Sequence, residues 1–159
     1  MKIEYNNLYT HFILTTKNRL PIIPEKNRER IEKYITGVIK NLESKLYAIY
    51  ANPDHVHFLV SRAPNISEEA LATIVADSTQ KFINENKLVQ GRFSWQQSAS
   101  AFSVSKSRIK TVINYILNQP EHHKTKSFEE EYQVLLKHFQ ETIVKDKASD
   151  KKITENDLF

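Results

Sequence analysis

Leu46-Tyr47-Ala48-Ile49-Tyr50-Ala51-Asn52-Pro53-Asp54-His55-Val56-His57-Phe58-Leu59-Val60-Ser61 reads as two strands joined by a turn. Leu46 to Ala51 and His55 to Ser61 are rich in apolar, aromatic and β-branched residues, and Asn52-Pro53-Asp54 between them has turn chemistry. A connection this short makes the two strands an antiparallel hairpin. Strand side chains alternate between faces, so His55 and His57 share one face while Val56 enters the other.

Upstream, Leu8 to Thr16 is a further aromatic and β-branched run that stops at Lys17-Asn18-Arg19, with Pro21 and Pro24 marking a break. From Glu25 to Leu42, Ile31, Ile35, Val38, Ile39 and Leu42 recur at helical spacing, giving an amphipathic helix with a basic outer face. Downstream of the hairpin, Asn65 with Glu68 has the spacing of a capping box. The stripe Ala70, Leu71, Ile74, Val75, Phe82 and Ile83 carries a second helix to about Asn86. Arg92 to Ser105 is β-prone at both ends and loosely patterned between, which predicts a fourth strand with an irregular insertion.

The order strand, helix, strand, strand, helix, strand predicts an α+β, ferredoxin-like (RRM-like) fold: an antiparallel sheet with helices on one face. Two more helices are expected after it. One runs from Lys106 to Asn118 and stops before Pro120; the other is capped by Ser127 and carries Phe128, Tyr132, Leu135, Leu136 and Phe139 on one stripe. The expected organisation is a single domain over residues 1–144 and a charged, mobile tail over 145–159.

The 159 residues, 40% hydrophobic and 26% charged, suit one ordinary globular domain. Cysteine is absent, which excludes a disulfide framework, a thiolate nucleophile and a Cys-based zinc site. Any metal must therefore sit on His, carboxylate or amide ligands. No run approaches the ~20 apolar residues needed to span a bilayer, and no secretion signal is visible, so the expected location is cytoplasmic, with no membrane partner. A net charge of +4 and a pI near 9.2 are mild. Lys and Arg nevertheless cluster at Lys17/Arg19, Lys26/Arg28/Arg30 and Lys106/Arg108/Lys110, a pattern that permits a polyanionic partner and equally fits a solvated basic surface.

Two neutral imidazoles on one strand face can chelate a divalent cation; two strand histidines can also simply face solvent or hydrogen-bond within the sheet. On the helix from Lys106, the buried stripe is Ile109, Val112, Ile113 and Ile116, and Arg108, Tyr115 and Gln119 line up along its edge. Tyr115 and Gln119 are four apart, so one helix could present a hydroxyl nucleophile and an amide oxygen to the same spot. A tyrosine at such an edge is also an ordinary core residue with a wet hydroxyl. Asp54 reads as a cap for the strand entry, with a fourth-ligand role as the alternative, and His122 and His123 read as surface residues. Phe93, Trp95 and Phe102 could stack on splayed bases or pack the core.

Together these segments resemble the single-tyrosine HUH transposases, which include the small transposases of insertion sequences and the REP-associated tyrosine transposases. Thr10-His11-Phe12-Ile13-Leu14-Thr15-Thr16-Lys17-Asn18-Arg19 looks like that family's first strand, and Ala51 to Val60 like its HUH strand. Ser103-Val104-Ser105 looks like the lead-in to the tyrosine helix, and Tyr115-Ile116-Leu117-Asn118-Gln119-Pro120-Glu121-His122-His123 like its end. The resemblance implies that His55, His57 and Gln119 hold one Mg²⁺ or Mn²⁺, with Mn²⁺ the better chemical match to imidazole. It implies that Tyr115 attacks a scissile phosphate to form a 5′-phosphotyrosine, and that the partner is single-stranded DNA, with hairpin-bearing element ends. It also implies a homodimer that could share its active sites. Lys17, Arg19, Arg92, Lys106 and Arg108 are the basic residues expected to hold the DNA backbone. The rival expectation is a domesticated relative that binds a DNA or RNA hairpin without cutting it.

Overall fold

The structure, a computed structural model, describes residues 1–145, with side chains to residue 137. The chain divides into two compact units, Met1–Leu117 and Asn118–Phe159. The first contains β1 (Tyr9–Thr15), α1 (Glu25–Asn41), β2 (Lys45–Ala51), β3 (His55–Ser61), α2 (Glu68–Glu85), β4 (Ser100–Val104) and α3 (Ile109–Leu117). The second contains α4 (Gln119–His122) and α5 (Phe128–Lys145). Most of the expected charged tail lies outside the described residues; Lys145 itself closes α5.

The four strands form one antiparallel sheet in the order β2-β3-β1-β4, which is the expected ferredoxin-like arrangement. Burial along the central strands follows from a sheet covered on both sides. In β1 and β3 six consecutive residues are buried, where a sheet with one wet face would alternate. On one face Phe12, Leu14, Val56, Phe58 and Val60 meet Ile31, Ile35 and Ile39 of α1 and Leu71, Val75 and Ile83 of α2. Phe12 and Phe58 stack with centroids 5.1 Å apart. Side chains of this kind each contribute ~1.5–3 kcal/mol on full burial, which makes this face the main source of stability. On the other face lie His11, Ile13, His55, His57 and Leu59, beside α3 with its buried Val112, Tyr115 and Ile116.

Three local expectations change. The α2 cap is Ser67, whose Oγ accepts from Ala70 N at 3.1 Å, so the helix opens two residues later than an Asn65 cap would start it. The fourth strand shortens to Ser100–Val104. The stretch before it is loop tied down at Trp95, which bridges Thr16, and at Asn84, whose side chain bonds both Phe93 N and Phe93 O.

The third change concerns the tyrosine helix. It begins with a 3₁₀ turn at Lys106–Arg108 and closes at Leu117, so Tyr115 and Gln119 do not share one regular helix. In a continuous helix Pro120 would have no N–H to give the Ile116 carbonyl, and its ring would crowd that carbonyl. The chain turns at Asn118 (φ −93°, ψ 14°) and restarts as α4, with Pro120 in the first turn, where no donor is required.

In the second unit, Ser127 caps α5 as expected and does so reciprocally. Ser127 Oγ accepts from Glu130 N at 3.3 Å, and a Glu130 carboxylate oxygen accepts from Ser127 N at 2.8 Å. Ser127 N and Oγ both donate to that carboxylate, which holds it below its usual pKa. Phe128 and Tyr132 pack with ring centroids 5.5 Å apart.

Candidate functional site

The turn that opens β3 is held at the carbonyls of Pro53, Asp54 and His55. Thr16 N and Thr16 Oγ1 both donate to Asp54 O, at 2.8 and 3.0 Å; Ile23 N donates to Pro53 O at 2.9 Å, and Asn52 N to His55 O at 2.8 Å. A turn locked in this way presents His55 in one orientation. Both histidines are fully buried, with ring centroids 4.8 Å apart and planes nearly perpendicular at 83°.

Each imidazole has an identifiable partner at Nδ1. His55 Nδ1 donates to Asp54 Oδ1 at 2.6 Å, while Asn52 Nδ2 donates to His55 Nε2 at 2.9 Å. A carboxylate accepts only, so Asp54 fixes the His55 proton on Nδ1 and leaves Nε2 as the lone-pair nitrogen. Asp54 therefore does more than cap the strand, and it does so without being placed as a ligand. His57 Nδ1 lies 2.9 Å from Nε2 of His11, a residue of β1 to which the sequence assigned no role. In the β1/β3 register His57 stands opposite Ile13 and His11 opposite Leu59, so the two rings meet across the diagonal. Burial pushes the His11 pKa down to about 3, so that ring is neutral at physiological pH.

Tyr115 is 5% exposed and lies edge-on to both partners, its ring centroid 5.7 Å from His57 and 6.1 Å from His11. Tyr115, the His55/His57 strand and His11 are thus one cluster within the first unit. In the second unit, Gln119 is fully buried. Its Nε2 donates to Glu131 Oε1 at 3.1 Å, and its Oε1 accepts from His123 Nε2 at 2.8 Å. His123 also approaches Glu131 Oε2 at 3.4 Å. His123 is accordingly a half-buried partner of Gln119, which its place in a polar stretch concealed; its i+4 spacing from Gln119 was the available signal.

The five basic candidates separate. Lys17 and Arg19 follow the end of β1 that pairs with His55, in a turn where Asn18 and Arg19 both take left-handed conformations (φ 58° and 55°). Arg92 belongs to the same end, because Lys17 N donates to Ser94 O at 3.0 Å. Lys106 and Arg108 follow β4 at its Val104–Tyr9 end, the opposite end of the strands from His55. Phe93, Trp95 and Phe102 are all buried, which removes them as stacking platforms for bases. Phe93 and Trp95 belong to the helix-covered core, and Phe102 packs 6.1 Å from the His11 ring.

A family model described as "Transposase IS200 like" matches residues 4–119, which span every strand, the histidine pair, Tyr115 and Gln119. The chain belongs to the IS200-like transposase family. Among solved structures, this IS200-like chain is similar to a candidate transposase from Deinococcus radiodurans R1, at 18% identity and a TM-score of 0.57 over 75% of this chain and 96% of that one. It is also similar to a REP-associated tyrosine transposase bound to a REP hairpin, at 12% identity and a TM-score of 0.59 over 77% of this chain and 72% of that one. At those identities the likeness is one of fold. A search of curated proteins gives no match. Among the described residues, no helix is long and apolar enough to cross a membrane.

Proposed function

We propose that this IS200-like transposase cuts and rejoins single-stranded DNA through a tyrosine ester. Tyr115 is the nucleophile, and His55, His57 and Gln119 are the ligands of one Mg²⁺ or Mn²⁺. The observation that carries the reading is the seat of Tyr115, 5.7 Å ring to ring from His57, on the sheet face the two histidines share.

The donors suit a divalent cation. Two buried imidazoles favour Mn²⁺ over Mg²⁺, and the Gln119 carboxamide adds a hard oxygen. When bound, the ion polarises the scissile phosphate and offsets the charge that develops there. The Tyr115 oxygen attacks phosphorus and its proton passes to water. The bond from phosphorus to the 3′ oxygen breaks, and that oxygen leaves with the electron pair and takes up a proton. The products are a 5′-phosphotyrosine and a free 3′-hydroxyl. Attack by another 3′-hydroxyl reverses the step, and the ester conserves the phosphodiester's energy, so no ATP is needed.

Lys17, Arg19 and Arg92 hold the DNA backbone at the His55 end, with Lys106 and Arg108 engaging it further along the sheet. The hairpin bound to the REP-associated neighbour supports hairpin-bearing ends as the substrate. The working form is a homodimer, with Gln119 supplied by the same chain or its partner.

The test is incubation with labelled single-stranded DNA from the flanks of the protein's own gene, with Mn²⁺ or Mg²⁺. A denaturation-resistant protein–DNA adduct is expected. Tight binding of the same DNA with no adduct would assign the chain to the non-cleaving hairpin binders instead.

A further inference from the structure

His11 is buried, bonded to a proposed metal ligand and unused by the chemistry above. Two imidazole nitrogens 2.9 Å apart hold one proton between them, since two lone pairs repel and two N–H groups collide. For two neutral rings, two arrangements remain. Either His57 Nδ1–H donates to His11 Nε2, which leaves the His57 Nε2 lone pair for a cation, or His11 donates and the His57 proton moves to Nε2, where it blocks coordination.

We infer that His11 is a positioning residue: it accepts from His57 Nδ1 and so holds His57 in the one tautomer that can coordinate through Nε2. This deepens the metal-dependent reading and rests on it. Asp54 does the same for His55, so each histidine of the pair has its own acceptor, one a carboxylate and the other an imidazole. The two differ in one respect. A carboxylate can only accept, whereas His11 accepts at Nε2 by carrying its own proton on Nδ1. Phe102 and Tyr115, each 6.1 Å away centroid to centroid, hold the His11 ring in place.

The experiment compares the full-length wild type with His11→Phe, which keeps a ring but removes the acceptor, and His11→Gln, whose amide oxygen reaches toward the place of Nε2. Mn²⁺ affinity is read by electron paramagnetic resonance without DNA, and the His57 tautomer by two-bond ¹H–¹⁵N correlation in the metal-free protein. His11→Phe is expected to weaken Mn²⁺ binding on the order of 10- to 100-fold while keeping a cooperative unfolding transition, and His11→Gln to recover most of the loss. The metal-free wild type should show His57 protonated at Nδ1. Unchanged Mn²⁺ affinity in His11→Phe, or a wild-type His57 protonated at Nε2, overturns the inference. If wild type binds no Mn²⁺, the metal reading fails, and the tautomer measurement still decides what His11 does. The same wild-type measurement stands if the Phe variant does not fold.

Discussion

The two faces of the sheet use the same strands for opposite ends. Beneath α1 and α2, Phe12, Leu14, Val56, Phe58 and Val60 form an apolar layer in which every contact adds stability and no particular contact is required. On the α3 face the same strands bury His11, His55 and His57, whose desolvation costs free energy unless each polar atom finds a partner. Their partners are specific, Asp54 for His55 and His11 for His57. A face that gives up stability to bury a polar cluster is where chemistry is to be sought, and substitutions on the two faces should therefore have different readouts.

The largest expected effect is on the α3 face. Tyr115→Phe should lower adduct formation on the order of 10³-fold or more, while gel-shift affinity for the same DNA and the melting temperature stay near wild type. An undiminished adduct would mean that the nucleophile lies elsewhere. The counterpart on the core face is Phe58→Ala, which should cost ~3–5 kcal/mol in denaturant unfolding, with adduct chemistry of the folded fraction unchanged.

Asp54→Ala leaves the carbonyl bonds from Thr16 in place and removes only the acceptor for His55 Nδ1. Mn²⁺ affinity by titration should fall on the order of 10-fold or more, with little change in melting temperature. A large melting shift with intact affinity would make Asp54 a cap and nothing else.

The faces also differ in their response to acid. His11 has an ordinary pKa of 6.5 that burial lowers to about 3 in the folded protein. Between those values the unfolded chain holds the proton and the folded chain does not. The His11 contribution to stability is therefore complete above pH 6.5 and is lost as pH falls through the window, at up to about 1.4 kcal/mol per pH unit. Denaturant curves of metal-free protein at falling pH should decline more steeply for wild type than for His11→Phe. Parallel curves would show that His11 takes up its proton without unfolding. The smallest effect belongs to a helix cap: Ser67→Ala should cost ~1 kcal/mol through the lost bond to Ala70, read as a modest melting shift with unchanged adduct yield.

Much of this was legible along the chain because it depends on neighbours in sequence. The hairpin from Leu46 to Ser61 places His55 and His57 on one face by strand alternation alone, and helical periodicity puts Tyr115 at the edge of a buried stripe. Capping was less secure: Ser67 and Asn65 both offer cap chemistry, and only the backbone path selects Ser67.

What the sequence by itself determined is the set of elements, their order and the faces on which the candidate residues stand, since these follow from periods of two and 3.6 residues. Only the tertiary structure decided that His11 meets His57, 46 residues away, because that contact depends on β1 lying beside β3 in one register. A one-residue slip of either strand would send its side chains to the opposite face. The same holds for α3, whose apolar stripe states that it covers something, while its place over the histidine face is settled by packing. The His55/His57 pair was written in local pattern; its third histidine was written in strand pairing, which no local reading contains.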